Sequence, residues 1–258
     1  MDFLAYVIPG LVVGLLVGAT GVGGGSIMTP VLTSGFGIPP AIAVGTDLVF
    51  AALTKTAGTL THRLQNSVDW KVAGLLCLGS LPAAGVTILL MKHFGVAGKS
   101  VFIEMALSAA LICTATAMLL GKQFSGVAQA FGLTKPRNAL IGTIVSGVLL
   151  GGLVSLTSVG AGALGATLIL TLYPRMTVIK VAGTDIAHAV PLTTVAGLGH
   201  IWLGTVNFSL LGGLLIGSIP GIILGSLIGK RLPETILRRI LALLLLAVAL
   251  YLILRRVF

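Results

Sequence analysis

Gly18-Ala19-Thr20-Gly21-Val22-Gly23-Gly24-Gly25-Ser26 interrupts an apolar run that reaches from Phe3 to about Thr33. Without the interruption the run reads as a membrane helix. Five glycines in nine residues cannot continue a stable helix, since glycine costs about 1 kcal/mol per helical position relative to alanine. In a bilayer, broken backbone survives only where protein or a water-filled cavity satisfies its N–H and C=O groups. The break is therefore buried against other helices, and its amides are open to an anion. A sparser version, Thr157-Ser158-Val159-Gly160-Ala161-Gly162-Ala163, lies in the second half of the chain. Two breaks in corresponding positions point to a transport site near the bilayer midplane.

Composition places the break in its setting. The 258 residues are 56% apolar and 9% charged, against roughly 25% charged in soluble domains. The expected fold is an all-α polytopic membrane protein of the inner (plasma) membrane, with no soluble domain. Met1-Asp2-Phe3 offers no basic leader, so the first segment reads as a retained helix rather than a signal peptide. The net charge of +10 sits mostly at segment ends, where anchoring to anionic headgroups explains most of it. Nucleic acid is not an expected partner. Cys77 and Cys113 fall in separate apolar segments without CxxC spacing and read as core residues, not a disulfide or metal site.

The apolar runs are 3–32 (broken), 41–62, 72–91, 101–121, 138–172 (broken), 181–202, 209–229 and 236–254. Most unbroken ones match the roughly 20 residues that cross hydrocarbon. The longest connection, 122–137, carries Lys122, Lys135 and Arg137 and divides the chain. Shifted by 138, residues 45–92 align with 183–230 without a gap, at 15 identities in 48 positions. Gly45-Thr46-Asp47 falls on Gly183-Thr184-Asp185, His62 on His200, and Gly79-Ser80 with Pro82 on Gly217-Ser218 with Pro220. The reading is an internal duplication of four-segment repeats, 1–121 and 138–258, joined by a basic loop at 122–137, with seven or eight membrane segments.

The orientation of the repeats follows from charge. If all eight runs cross, Lys and Arg split seven against eight between the two sides, which orients nothing. If each broken run is a re-entrant hairpin, loops 63–71, 122–137, 173–180 and 230–239 share a side holding eleven, against four opposite. The positive-inside rule prefers the hairpins, and three crossings per half make the repeats inverted.

Candidate chemistry lies near the breaks. Asp47 and Asp185 are carboxylates inside membrane helices, each a functional hypothesis by default. Support of the neighbouring backbone, for instance as a helix cap, competes with proton or ion coupling. Lys55 is the basic residue deep inside an apolar run; eight residues beyond Asp47, it stands about 12 Å along the helix from it. It needs a closer partner, either a substrate anion or a group on another helix. Its counterpart is Thr193. His62, His200 and His188 offer a proton relay, His188 one turn beyond Asp185; satisfied interface histidines are the plain alternative. Gly23, Gly24, Gly25, Ser26 and Thr29 at the first break, and Gly160 and Gly162 at the second, offer amides and hydroxyls that suit an oxyanion at a half-helix N-terminus. Thr46 and Thr184 are further hydroxyl candidates. Close helix packing accounts for Gly74, Gly79, Gly85, Gly212, Gly213, Gly217, Gly221, Gly225 and Gly229. No metal ligand set and no cofactor motif is present in the sequence.

The glycine break followed by Pro30 and Gly-Ile-Pro-Pro-Ala-Ile-Ala-Val-Gly-Thr-Asp (37–47), repeated as Met-Thr-Val-Ile-Lys-Val-Ala-Gly-Thr-Asp (176–185), resembles the TauE/SafE sulfite exporter family over essentially the whole chain. The resemblance implies a bacterial or archaeal inner-membrane permease for small sulfur-containing anions such as sulfite or organosulfonates, sulfoacetate among them. The second break departs from the first by lacking a counterpart of Ser26 and one glycine, so two equivalent anion sites are not expected to follow from it. The expected activity is secondary, non-enzymatic transport of a small oxyanion across the bilayer, with proton coupling as a hypothesis; a homo-oligomer is compatible with it. A membrane assembly protein without transport and an intramembrane lipid-phosphate enzyme are the competing classes. The second lacks clustered acids, and the first gives no reason for costly polar groups in both halves.

Overall fold

The computed structural model describes residues 3–20, 25–64, 66–98, 100–229 and 234–257. The described residues are helical with no strand. After a 3-10 turn, α1 (Val7–Thr20) leads to the first break, and α2 (Gly25–Pro30) follows it and runs on as a π-helical turn, Val31–Gly35. Then come α3 (Pro40–Leu64), α4 (Trp70–His93) and α5 (Ser100–Ala130). The second half has α6 (Pro136–Thr157), the second break, α7 (Ala163–Leu172), α8 (Val178–Trp202), α9 (Phe208–Gly229) and α10 (Glu234–Val257). Among the described residues, helices α4, α5, α6 and α9 hold stretches long and apolar enough to cross a bilayer. Leu78, Leu149, Ile216 and Leu243 are each more than half exposed, as a lipid-facing belt requires. The helical, multi-pass expectation holds.

Two sequence expectations change. Residues 122–130, expected in the connecting loop, continue α5 to Ala130, so the connection shrinks to 131–135. Lys122, Gln123, Ala128 and Gln129 are good helix formers; their polarity ends the membrane run without ending the helix. Cys113 is exposed and Cys77 half-buried, so neither is a core residue, and both are free thiols.

Contacts across the bundle recur at the spacing of the sequence match. Helices α3 and α8 begin and end 138 residues apart. Glycines on α1 and α9 bring those helices together: a Cβ on Gly10 would strike the Leu214 backbone, one on Gly14 that of Ser218, and one on Gly217 that of Val7. Helices α4 and α6 meet the same way, Gly147 against Leu76, Gly151 against Ser80 and Gly79 against Ile144. Each pair therefore runs parallel. Gly74 and Gly85, assigned to packing on sequence grounds, face nothing within 4 Å. Helices α3 and α8 are antiparallel, with Gly197 beside Leu48 and Val49 and Thr59 Oγ1 donating to Ile186 O at 3.4 Å.

These contacts sort the loops into two ends. Asp69 pairs with Lys180 at 3.3 Å, placing 63–71 beside the start of α8. A cavity of about 1000 Å³ is lined by Gln129, Thr134 and Pro136 together with Tyr173, Arg175 and Lys180, so α6 begins where α7 ends. The Thr143 and Tyr173 hydroxyls, 2.8 Å apart, tie that hairpin. At the opposite end the Asn207 N–H donates to Thr46 Oγ1 at 3.1 Å, and the Lys92 ammonium stacks 3.4 Å from the Trp202 ring centre.

Overpacking at a backbone contact costs about 1–3 kcal/mol. Gly79→Ala is therefore expected to lower stability in detergent by that amount. Gly74→Ala, with open space, should be neutral or stabilising by up to about 1 kcal/mol. Thermal unfolding of the two purified variants checks the contrast.

Candidate functional site

The second break is built by backbone geometry. Helix α6 closes on Ser158, left-handed at φ 60°, whose N–H donates to Val154 O at 2.7 Å. Gly160 at φ 115° and Gly162 at φ 146° then turn the chain, conformations a side chain would strain. Helix α7 restarts at Ala163, and the Gly165 N–H donates back to Gly160 O at 3.0 Å. Gly160 and Gly162, expected as anion ligands, thus have a backbone reason to be glycine.

Lys55 answers the break. Its side chain is 6% exposed, and its ammonium donates to Ala161 O, inside the break. The closer partner that spacing demanded is therefore a carbonyl of the other half. The ammonium also lies within electrostatic reach of Asp185 and, more weakly, Asp47. No ion pair within 4.0 Å joins Lys55 to either carboxylate among the described residues.

The two aspartates differ. Neither caps a helix, since each stands eighth in its own. Asp47 accepts the Thr29 hydroxyl at 2.6 Å, so Thr29 positions a carboxylate. The Ser158 hydroxyl sits beside Asp47 without closing a hydrogen bond. Asp185 has no described hydrogen bond, and a Cβ on Gly165 would overlap its Oδ1. The unbonded oxygens, Asp47 Oδ1 and Asp185 Oδ1, are both buried. His188, 0% exposed, shares a 2.9 Å hydrogen bond between Nε2 and Ser80 Oγ, while its Nδ1 has no partner. The Ser155 and Ser158 hydroxyls are likewise buried without partners. Buried polar atoms are normally bonded, and a concentration of exceptions marks a place where something else binds.

The rest of the predicted set lies elsewhere. Thr46 Oγ1 accepts the Asn207 N–H, and Thr184 Oγ1 accepts the Asp69 N–H at 2.9 Å. Each threonine thereby satisfies the backbone ahead of a helix in the other half. Gly45 and Gly183 admit Thr205 O and Ser67 O in the same reciprocal fashion. The Gly-Thr-Asp motif reads as close approach, tie and site carboxylate in turn. His200 is fully bonded, Nε2 to Ser155 O at 2.9 Å and Nδ1 to Thr205 Oγ1 at 2.7 Å, the pattern of an interface histidine. Gly23 and Gly24 lie outside the described residues, as do the side chains of Ser26 and His62; Gly25 opens α2. Sequence reasoning missed Ser80, Ser155, Ser158, Ala161 and Gly165 as site residues. Ser80 carried one signal, its place in the repeated Gly-Ser-x-Pro.

A polytopic helical bundle with a buried ammonium, two buried carboxylates and unbonded hydroxyls at a helix break has the make-up of a membrane transporter. Comparison with known proteins agrees. The family model described as sulfite exporter TauE/SafE matches residues 6–252. The probable membrane transporter protein YjnA of Bacillus subtilis (strain 168) is 36% identical over 220 residues, covering 84% of this chain and 86% of the relative. The probable membrane transporter protein YdhB of the same strain is 30% identical over 213 residues, covering 80% and 82%. A probable membrane transporter protein of Methanocaldococcus jannaschii, MJ0441, is 26% identical, covering 74% and 69%. No solved structure matches. The chain belongs to the TauE/SafE family and is a multi-pass membrane transporter protein.

Ser80→Ala strips His188 Nε2 of its partner and should cost about 1–3 kcal/mol. Ser218→Ala, at the corresponding place, removes only a bond within its own helix and should change stability by less than about 0.5 kcal/mol. Unfolding curves in detergent test the pair.

Proposed function

We propose that this protein is a secondary transporter moving a small sulfur-containing oxyanion, sulfite or an organosulfonate, by alternating access. The observation that carries the reading is Lys55, whose ammonium donates to Ala161 O in the second break, together with the Ser155 and Ser158 hydroxyls and His188 Nδ1, buried without partners. These groups supply a buried positive charge and hydrogen-bond donors, the chemistry an oxyanion needs. The matching family description, sulfite exporter, supports the sulfur oxyanion in particular. Gly23, Gly24, Gly25 and Ser26 are the further substrate-binding candidates in this reading.

The two halves act as inverted repeats, and rocking of one against the other exposes the site alternately to each side. The reciprocal contacts at spacing 138 and the sorting of loops into two ends support that arrangement. The end holding 63–71, 122–137 and 173–180 faces the cytoplasm by the positive-inside rule. The chain has no Gly-x-x-x-x-Gly-Lys-Ser/Thr phosphate loop, so an ion gradient or the anion's own gradient drives the movement.

Proteoliposomes should take up labelled sulfite or sulfoacetate saturably. Lys55→Gln should lose about 30-fold in uptake, the equivalent of about 2 kcal/mol for a charged hydrogen bond. Gly165→Ala, displacing Asp185, should also impair it, and Arg175→Ala at the exposed basic end should not. Folded, inserted protein that moves neither anion would refute the reading.

A further inference from the structure

The buried charged groups of the proposed site are more negative than positive. Asp47, Lys55 and Asp185 are 0%, 6% and 3% exposed. Fully ionised, two carboxylates and one ammonium leave a net charge of −1. An uncompensated charge at this depth costs several kcal/mol even after relaxation, so the empty site holds one ionised carboxylate: Asp185, whose neighbour Ile186 is bonded one turn beyond Lys55, while Asp47, about 12 Å along the helix from Lys55, stays neutral. An arriving monovalent anion upsets that balance, because it competes for the same ammonium.

The carboxylates are not equally placed to respond. Asp47, neutral, keeps the Thr29 hydroxyl at 2.6 Å whatever Lys55 does. Asp185 has no described hydrogen bond, and among the described residues Lys55 is the charge that acts on it. Its ionised form therefore depends on an ammonium that the anion would take away. The titratable groups around it, among the described residues, are Lys55 and Asp47 on α3 and His188 on its own helix α8. Helix α7 presents to it the bare Cα of Gly165.

Resting on the anion-transport reading above, we propose that Asp185 is the proton site of the transport cycle. It balances Lys55 when the site is empty and takes up a proton when a monovalent oxyanion replaces it, so that anion and proton cross together without net charge movement. The proton comes from water on the side of anion entry, forms an O–H bond at the free Asp185 Oδ1, and leaves to water on the side of release. Lys55 then returns to the carboxylate. Asp185 Oδ1 lies against Gly165, where a side chain would overlap it.

The test uses the whole protein in proteoliposomes containing a pH-sensitive dye, with methanesulfonate, a sulfonate that stays a monoanion over the working pH range, and sulfite as probes. About one proton should enter per methanesulfonate, and uptake should not respond to an imposed membrane potential. Asp185→Asn should abolish proton entry with the anion and the accumulation driven by a pH gradient. Potential-driven uptake without protons in the wild type overturns the proposal, as does an Asp185→Asn protein that keeps the wild-type proton-to-anion ratio. The wild-type ratio decides alone if the variant does not insert. Exchange of neither probe by the wild type overturns the anion reading and the coupling with it, an outcome distinct from exchange without protons.

Discussion

A carbonyl stripped of its helical partner inside a membrane must find a donor within the protein, since hydrocarbon offers none. Ala161 finds the Lys55 ammonium, supplied by a helix from the other half of the chain. Much of the buried chemistry follows from that one bond. An ammonium at this depth needs carboxylates near it, and Asp185 and Asp47 provide them from α8 and α3. Those carboxylates need room, which Gly165 leaves, and a donor, which Thr29 gives. The left-handed Ser158 and the two positive-φ glycines hold the carbonyl where the ammonium can reach it. Removing Lys55 leaves the Ala161 carbonyl without its donor, and a side chain at Gly165 overlaps Asp185.

The bundle around this bond is held by contacts that answer one another. Thr46 ties the start of α9 and Thr184 ties the start of α4, while Gly45 and Gly183 admit the backbone beside those ties. The two ties match at a shift of 138, Thr46 to Thr184 and Asn207 to Asp69, a correspondence between the two halves of the chain. The polar site does not share it. Phe50, nearly fully buried, stands where His188 stands in the other half, and Thr193, bonded to its own helix, stands where Lys55 does. Matching ties thus surround an unmatched chemistry.

How much of this was legible in the sequence follows from the range of each interaction. Helix breaks and membrane length are local properties, written in glycine density and apolar run length, and the Gly-Thr-Asp match at spacing 138 could be read directly. The expected roles of Thr46 and Thr184 did not follow, because their partners Asn207 and Asp69 are 161 and 115 residues away. Gly165 looked like one more small residue in an apolar helix, and its neighbour Asp185 belongs to the next element. Helix α5 outran its apolar stretch because polar helix formers end a membrane run without breaking hydrogen bonding. Local pattern gives elements; partners more than a hundred residues apart come only from the packed bundle.

The parallel packing of α1 on α9 bears on how the chain is made. Helix α1 has 14 residues, fewer than the roughly 20 that cross hydrocarbon, so it makes a poor occupant of lipid by itself. The glycines that shape it match α9, which begins 188 residues beyond its end. At about 5–20 residues per second, synthesis needs roughly 10–40 s to deliver that partner. During this interval α1 has to be sheltered by the insertion machinery or wait at the membrane surface. The interface that closes the finished transporter therefore also sets a delay in its birth, and slower translation of the second half lengthens the time its first segment spends without its mate.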